Sequence, residues 1–159
     1  MSVLSEKLVL RCPYARARGY LSLALGQVAQ FQEPETIRLR LPLAGDAGPA
    51  LEKEVTVRYH QAVDPMHMDQ PWSIRWTPTA GGPFPDFDGT LTVRADEDYT
   101  GSVLELAGTY QPPLGAAGAA FDAVLGRSIA AATAQQFLRT IGDQMEKQYR
   151  REEEAKQAL

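Results

Sequence analysis

The last third of the sequence constrains the fold most strongly. A strand-like run from Ser102 to Tyr110 is followed at residues 111–115 by Gln-Pro-Pro-Leu-Gly, and then by an alanine-rich amphipathic pattern that reaches about Glu154. Proline has no backbone N–H to donate, so two consecutive prolines end a strand. The sequence therefore predicts a single long C-terminal helix that follows a series of strands.

Five earlier segments also have the pattern of strands, in which apolar and polar residues alternate and turn residues stand between the runs. They are residues 4–11, 36–43, 54–61, 72–77 and 87–94. Strands joined by short turns are antiparallel, and antiparallel sheets commonly bury one face and leave the other in water. The alternation predicts an apolar face and an opposite face that carries Arg38, Arg40, Arg58, Arg75 and Arg94.

The C-terminal helix is the one long element available to cover the apolar face of the sheet. Its large apolar residues form a stripe that drifts around the helix axis: Phe121, Leu125, Ile129, Phe137, Ile141 and Met145. The tail from Glu146 is strongly charged and is predicted to project past the sheet or to fray. Residues 14–32 are predicted to form two short helices, or a helix and a bent segment, because Gly19 and Gly26 weaken a long helix.

Composition limits the class of protein. The 159 residues suffice for one domain with a core, so we expect a single domain over residues 1–159 with a charged tail at about 146–159. The net charge of −4 disfavours a general nucleic-acid binder. No apolar run approaches the ~20 residues that span a bilayer, and the first residues lack the pattern of a signal peptide, so cytoplasmic location is predicted.

Nothing in the sequence indicates a cofactor or a nucleophilic catalytic site. No P-loop, dinucleotide fingerprint, Ser-His-Asp or Cys-His constellation is present. Cys12 is the single cysteine and is interpreted as a packing residue. Asp64, His67 and Asp69 carry metal-ligand atoms, but their spacing matches no recognised site, and no metal is predicted. The neighbouring Met66, Met68 and Pro71 are instead a candidate apolar flap over a cavity mouth.

The order of these elements, together with the Tyr-x-Pro-Pro-Leu-Gly entry at Tyr110 to Gly115 into the last helix, resembles the SRPBCC or START-like superfamily, in particular its uncharacterised bacterial members. The resemblance covers essentially the whole chain. It implies an α+β helix-grip fold, in which a curved antiparallel sheet of six to seven strands wraps around the C-terminal helix, with short helices after strand one. The superfamily includes polyketide cyclases and lipid-transfer domains, and its members mostly bind or act on apolar small molecules.

The leading hypothesis is therefore that the chain binds a hydrophobic or amphipathic small molecule, lipid-like or polyketide-like, between sheet and helix. Aromatic and aliphatic residues of the apolar face and of the helix are the candidate cavity lining. They are Leu39, Leu41, Val57, Tyr59, Trp72, Ile74, Trp76, Phe87, Leu91, Phe121, Leu125 and Ile129. An ordinary core would use the same residue types.

Two alternatives remain open. A cyclase, aromatase or dehydratase acting in the same cavity needs inward polar groups, for which Glu105, Thr109, Tyr110 and His67 are the candidates. Strand alternation favours Glu105 on the outer face, opposite an arginine, and a register shifted by one residue would turn it inward. A protein partner could instead dock on the arginine-bearing face, although such a face is more often a solvated surface with local ion pairs.

Overall fold

The strands and helices follow the order that the sequence predicts. A computed structural model describes residues 2–29, 35–42, 50–61, 66, 71–79, 86–111 and 127–159. Within these ranges the strands are β1 (Ser2–Leu10), β2 (Glu35–Pro42), β3 (Ala50–Gln61), β4 (Trp72–Pro78), β5 (Asp86–Ala95) and β6 (Ser102–Gln111). The helices are α1 (Tyr14–Ala29) and α2 (Arg127–Gln157).

The described strands form one antiparallel sheet in the order β1-β6-β5-β4-β3-β2. The second and third strands pair antiparallel, as strands joined by a short turn are expected to do, with Arg38 opposite Glu54. The first strand pairs with the last and forms one edge of the sheet, which brings Lys7 opposite Glu105. Helix α2 packs against β6 and against both edge strands, β1 and β2. A curved antiparallel sheet that holds a long C-terminal helix in this way is a helix-grip fold, as predicted.

The inner face of the sheet is buried as the alternation predicts. In β4, Trp72, Ile74 and Trp76 are buried, whereas Ser73 and Arg75 between them are exposed. Side chains of a strand point alternately to the two faces, so one apolar face follows directly from this pattern. Helix α2 completes the core with Phe137, Leu138, Ile141 and Met145.

Two glycines allow a close backbone approach in the middle of the sheet. Gly89 in β5 lies directly opposite Gly108 in β6. A Cβ atom on Gly108 would stand 2.3 Å from the carbonyl oxygen of Asp88 and 2.5 Å from the Cα of Gly89. A Cβ on Gly89 would stand 2.6 Å from the ring atom Cζ of Phe87, so this ring lies over the gap that the glycines leave.

Of the two alternatives predicted for residues 14–32, two short helices were wrong, because α1 is one continuous helix of 16 residues. The other alternative, a helix and a bent segment, extends past Ala29 into residues that lie outside the described part of the chain. Gly19 is exposed, and a Cβ atom there would meet no atom within 4 Å. Its low helix propensity is outweighed by the burial of Ala17, Tyr20, Leu21 and Leu25 against the rest of the core. Tertiary packing of an apolar face commonly overrides local propensity in this way.

Of the two alternatives predicted for the charged tail, projection past the sheet or fraying, fraying was wrong. Helix α2 continues to Gln157, and Glu146, Tyr149, Glu152 and Glu153 are half-buried. These residues contact α1 and the end of β1, since Glu146 accepts a hydrogen bond from the backbone N–H of Arg11 at 3.0 Å and Glu152 pairs with Arg16. The tail is therefore part of the packed structure up to Glu153.

The C-terminal helix is described from Arg127 onward. Residues 112–126, which include the predicted start of the helix as well as Phe121 and Leu125, lie outside the described residues. Neither helix in the described ranges has a stretch long and apolar enough to cross a membrane.

Candidate functional site

Four aromatic rings form a cluster where α2 crosses the inner face of the sheet. Trp76 of β4 stacks on Phe87 of β5, with ring centroids 4.3 Å apart and an interplanar angle of 20°. Phe137 of α2 lies 5.6 Å from Trp76 and 6.3 Å from Tyr59 of β3, measured between ring centroids. We call Tyr59, Trp76, Phe87 and Phe137 the aromatic cluster. It joins three neighbouring strands to the helix.

One polar atom of the aromatic cluster has no partner. Trp76 is 1% exposed, and within the described part of the chain its indole Nε1–H has no hydrogen-bond acceptor. Most buried polar groups in proteins are hydrogen-bonded, and leaving a buried donor unpaired costs about 1–3 kcal/mol. The other such side-chain atom in the described ranges, Oδ1 of Asp96, lies in the turn between β5 and β6 and not on the inner face.

Helix α2 presents small residues to the sheet next to the aromatic cluster. Ala130 and Ala134 are buried and precede Phe137 at helical spacing, so the three lie on one face of the helix. Thr133, beside them, is also fully buried. Alanine carries only a methyl group, so neighbouring residues can pack close to the backbone of α2 at these positions.

All seven predicted lining residues whose side chains the structure describes lie on the inner face of the sheet. Trp72, Ile74, Trp76, Phe87, Leu91 and Val57 are buried there, and Tyr59 is half-buried on the same face. For Leu39, Leu41 and Ile129 the structure describes the backbone but not the side chain. Phe121 and Leu125 lie outside the described residues. The role of all these residues as the lining of a ligand cavity remains a prediction.

Glu105 lies on the outer face of the sheet and is engaged in polar contacts there. The hydroxyl of Ser5 donates to its carboxylate at 3.3 Å, and the ammonium of Lys7 lies 3.9 Å away. On the other side, Nε of Arg94 lies 3.8 Å from the second carboxylate oxygen. The strand pairing that the sequence alone leaves open thus places Glu105 opposite Lys7 and Thr92, away from the aromatic cluster.

The other polar candidates are dispersed. Thr109 shares the outer face with Glu105, four residues along the same strand, and lies opposite Asp88. Tyr110 points to the inner face and is buried. His67 lies outside the described residues, together with Asp64, Met68 and Asp69, while Met66 is an exposed turn residue. Among the residues that are described, no three His, Cys, Asp or Glu side chains stand close enough to hold a metal ion.

The outer face also carries a shallow polar groove of about 500 Å³. Its lining comprises Thr56, Arg58, Arg75, Thr77, Asp86, Phe87, Asp88, Thr109 and Gln111. Arg75 pairs with Asp88 across the strands at 3.3 Å, and Arg94 pairs with Glu105 as described above. The side chains of Arg38 and Arg40 lie outside the described part of the chain. Two of the three described arginines of this face are therefore engaged in local ion pairs.

Cys12 is buried at the turn between β1 and α1. Its sulfur lies 3.7 Å from the hydroxyl oxygen of Ser102, and this hydroxyl donates to the carbonyl oxygen of Cys12 at 3.0 Å. Burial raises the pKa of the Cys12 thiol, which disfavours the reactive thiolate. These contacts connect the start of α1 to the start of β6 and agree with a packing role.

A cluster of charged and aromatic side chains, which the sequence does not reveal, joins α1 to the end of α2. Arg16 forms ion pairs with Glu152 and Glu153, and the hydroxyl of Tyr20 donates to Glu152 at 2.6 Å. The guanidinium carbon of Arg16 lies 5.6 Å from the ring centroid of Tyr20 and 5.4 Å from that of Tyr149, within the range of cation–π attraction. We call these five residues the helix-pairing cluster.

The contacts of the helix-pairing cluster shift the pKa values of its two carboxyl groups and of the Tyr20 phenol. The hydrogen bond from Tyr20, with further bonds from Gln148 and Arg16, lowers the pKa of the Glu152 carboxyl. Lys156 and then Arg16 lower the pKa of Glu153. Burial, followed by the bond to Glu152, raises the pKa of Tyr20 to about 12.

The stability of the protein should therefore fall at both ends of the pH range. A carboxyl whose pKa is lower in the folded state stabilises it above the ordinary value of 4.5, and this contribution disappears as pH falls through the lowered pKa. A phenol whose pKa is raised stabilises the folded state below pH 10.0, and this is lost as pH rises toward 12. The free energies of unfolding of the wild type and of Glu152→Gln, measured by chemical denaturation, should converge at low pH.

The matched control for this prediction is Glu154→Gln, which neutralises an exposed glutamate in the same turn of α2. It should keep the acid-side pH dependence of the wild type, whereas Glu152→Gln should flatten it. An equal loss in both variants would show that general charge, and not the helix-pairing cluster, sets the pH dependence.

No protein-family model matches the sequence, and no curated protein does. Solved structures of similar shape include TTHA0849 from Thermus thermophilus, with 14% identity over 91% of this chain and 97% of that chain and a TM-score of 0.47. Ara h 8.0201 has 15% identity over 91% and 94% of the two chains and a TM-score of 0.48. Mll3558 from Rhizobium loti has 14% identity over 85% and 96%, with a TM-score of 0.36. The helix-grip assignment rests on the strand order and helix contacts of this chain itself.

Proposed function

We propose that this protein binds a hydrophobic or amphipathic small molecule, lipid-like or polyketide-like, between the inner face of the sheet and α2. The observation that carries the proposal is the aromatic cluster beside the alanine-bearing face of the helix. Aromatic rings supply large apolar contact surfaces, and the short side chains of Ala130 and Ala134 let a ligand approach the helix backbone.

The aromatic cluster reaches the surface at Tyr59, which suggests where a ligand enters. Tyr59 is half-buried, whereas Trp76, Phe87 and Phe137 are buried. In the described form the buried rings pack on one another, so a ligand displaces a ring or shifts α2 as it binds. Tyr59 lies near the end of β3, just before the segment that contains Met66, which fits the predicted role of that segment as a flap.

The two alternative functions receive less support from the positions of their residues. Of the polar candidates for catalysis that the structure describes, Tyr110 alone faces the interior, and Glu105 is held on the outer face by Lys7 and Arg94. On the arginine-bearing face, Arg75 is paired with Asp88. Neither arrangement favours catalysis or docking over ligand binding.

Fluorescence of 1-aminoanthracene, a neutral probe that brightens in apolar surroundings, tests the proposal. We expect saturable binding of about one probe per protein. Ala134→Leu adds bulk where the helix faces the sheet, and it should weaken binding about tenfold, since overpacking an interior costs about 1–3 kcal/mol. Thr90→Leu enlarges a side chain on the outer face of β5 instead and should leave binding unchanged.

Equal affinity in the wild type and Ala134→Leu, or weakening by Thr90→Leu alone, would contradict binding at the inner face. Native mass spectrometry of the wild type gives a second test that does not depend on a variant. It should detect a retained or added probe at one copy per chain, and a chain that takes up none would contradict the proposal.

A further inference from the structure

The indole N–H of Trp76 is a buried hydrogen-bond donor in apolar surroundings. The described rings that pack against Trp76, those of Phe87 and Phe137, are hydrocarbons that carry no acceptor oxygen. Trp72 lies on the same face of the same strand, four residues away, and its indole nitrogen is not among the buried unpaired atoms. Because buried donors are nearly always satisfied, an interior N–H that lacks an acceptor among the described residues is a candidate to donate to a bound ligand.

The chemistry of the indole limits what that partner can be. Indole Nε1–H is a donor only, so it cannot accept a hydrogen bond from an ammonium group. A partner must bring an oxygen or nitrogen lone pair into contact with Nε1 while the remainder of the molecule contacts aromatic rings. A planar apolar molecule with one carbonyl or similar acceptor meets both requirements, because its faces can stack on the aromatic cluster.

We propose that Trp76 is a specificity-determining residue that donates a hydrogen bond to an acceptor oxygen of the ligand. The site thereby selects planar apolar molecules that carry such an oxygen over hydrocarbons of the same shape. This inference rests on the proposed function, since it names the chemical class of ligand for the same site. The selectivity arises because only the oxygen-bearing ligand satisfies a donor that otherwise stays unpaired when the site is filled.

Fluorene and fluorenone provide the test, because they share one tricyclic skeleton and differ by a single carbonyl group. Each is titrated against protein that holds 1-aminoanthracene, and displacement gives its affinity. In the wild type, fluorenone should bind about fivefold to tenfold more tightly than fluorene. In Trp76→Phe, which keeps an aromatic ring and removes the donor, the two affinities should become equal. Trp72→Phe should retain the preference.

The outcomes separate this inference from the proposed function. If both compounds displace the probe equally from the wild type, or if Trp76→Phe keeps the preference, the role of Trp76 is overturned and ligand binding stands. If neither compound nor the probe binds, both proposals are overturned. In the wild type, the indole N–H resonance of Trp76 should also shift with fluorenone more than with fluorene, which tests the contact even if a variant fails to fold.

Discussion

Replacing Phe137 by alanine should lower the free energy of unfolding by about 3–5 kcal/mol, the usual cost of removing a large buried aromatic side chain. Phe137 is 1% exposed, and it is the residue through which α2 contacts both Tyr59 and Trp76. Its removal leaves a cavity at the junction of the helix with β3 and β4. Urea unfolding followed by circular dichroism measures the change.

Arg139→Ala is the matched control, because Arg139 is exposed on the same turn of α2. Its effect should stay within about 0.5 kcal/mol of the wild type, as is usual for surface positions. A loss below about 1 kcal/mol in Phe137→Ala would contradict tight packing of the helix on the aromatic cluster.

Gly108→Ala should have the second largest effect, a loss of about 3 kcal/mol, at the upper end of the range for overpacking. The new Cβ would meet backbone atoms of Asp88 and Gly89 at 2.3 to 2.9 Å, and backbone atoms cannot rotate out of the way as the end of a side chain can. The strands β5 and β6 would have to move apart at their closest point. Thermal or urea unfolding of the variant gives the loss.

Gly19→Ala is the control for this glycine substitution. It should raise the free energy of unfolding, whereas Gly108→Ala should lower it. A Cβ at Gly19 meets no atom, so alanine should stabilise helix α1 by about 0.5–1 kcal/mol through its better helix propensity. If Gly108→Ala unfolded at the same urea concentration as the wild type, the close approach of β5 and β6 would not be a requirement of the fold.

The sheet could be predicted from the sequence because strand alternation has a period of two. Trp72, Ile74 and Trp76 are separated by Ser73 and Arg75, and this local pattern alone assigns the inner face. Local reasoning wrongly allowed a break inside α1, because the propensity of its glycines was weighed without the burial of Tyr20, Leu21 and Leu25. It wrongly allowed fraying of the C-terminal tail because Glu152 is neutralised by Arg16, which is 136 residues away in the chain.

For the candidate site too, features set by the pattern of one strand could be predicted, whereas features set by contacts between distant elements could not. The aromatic residues of the inner face were predictable one strand at a time, whereas the position of Glu105 depends on which residue of β1 it meets. The pairing of Gly89 with Gly108 and the unpaired indole of Trp76 depend on contacts between elements far apart in sequence. A glycine inside a strand is the one local signal that could have indicated a close backbone approach.

A crystal structure of the protein grown with 1-aminoanthracene tests the central claim most directly. We predict electron density for the probe between the inner face of the sheet and α2, in contact with Trp76 and Phe137. Density confined to the outer groove at Arg58 and Arg75, or an interior that is unchanged and empty of probe while the probe binds in solution, would contradict it.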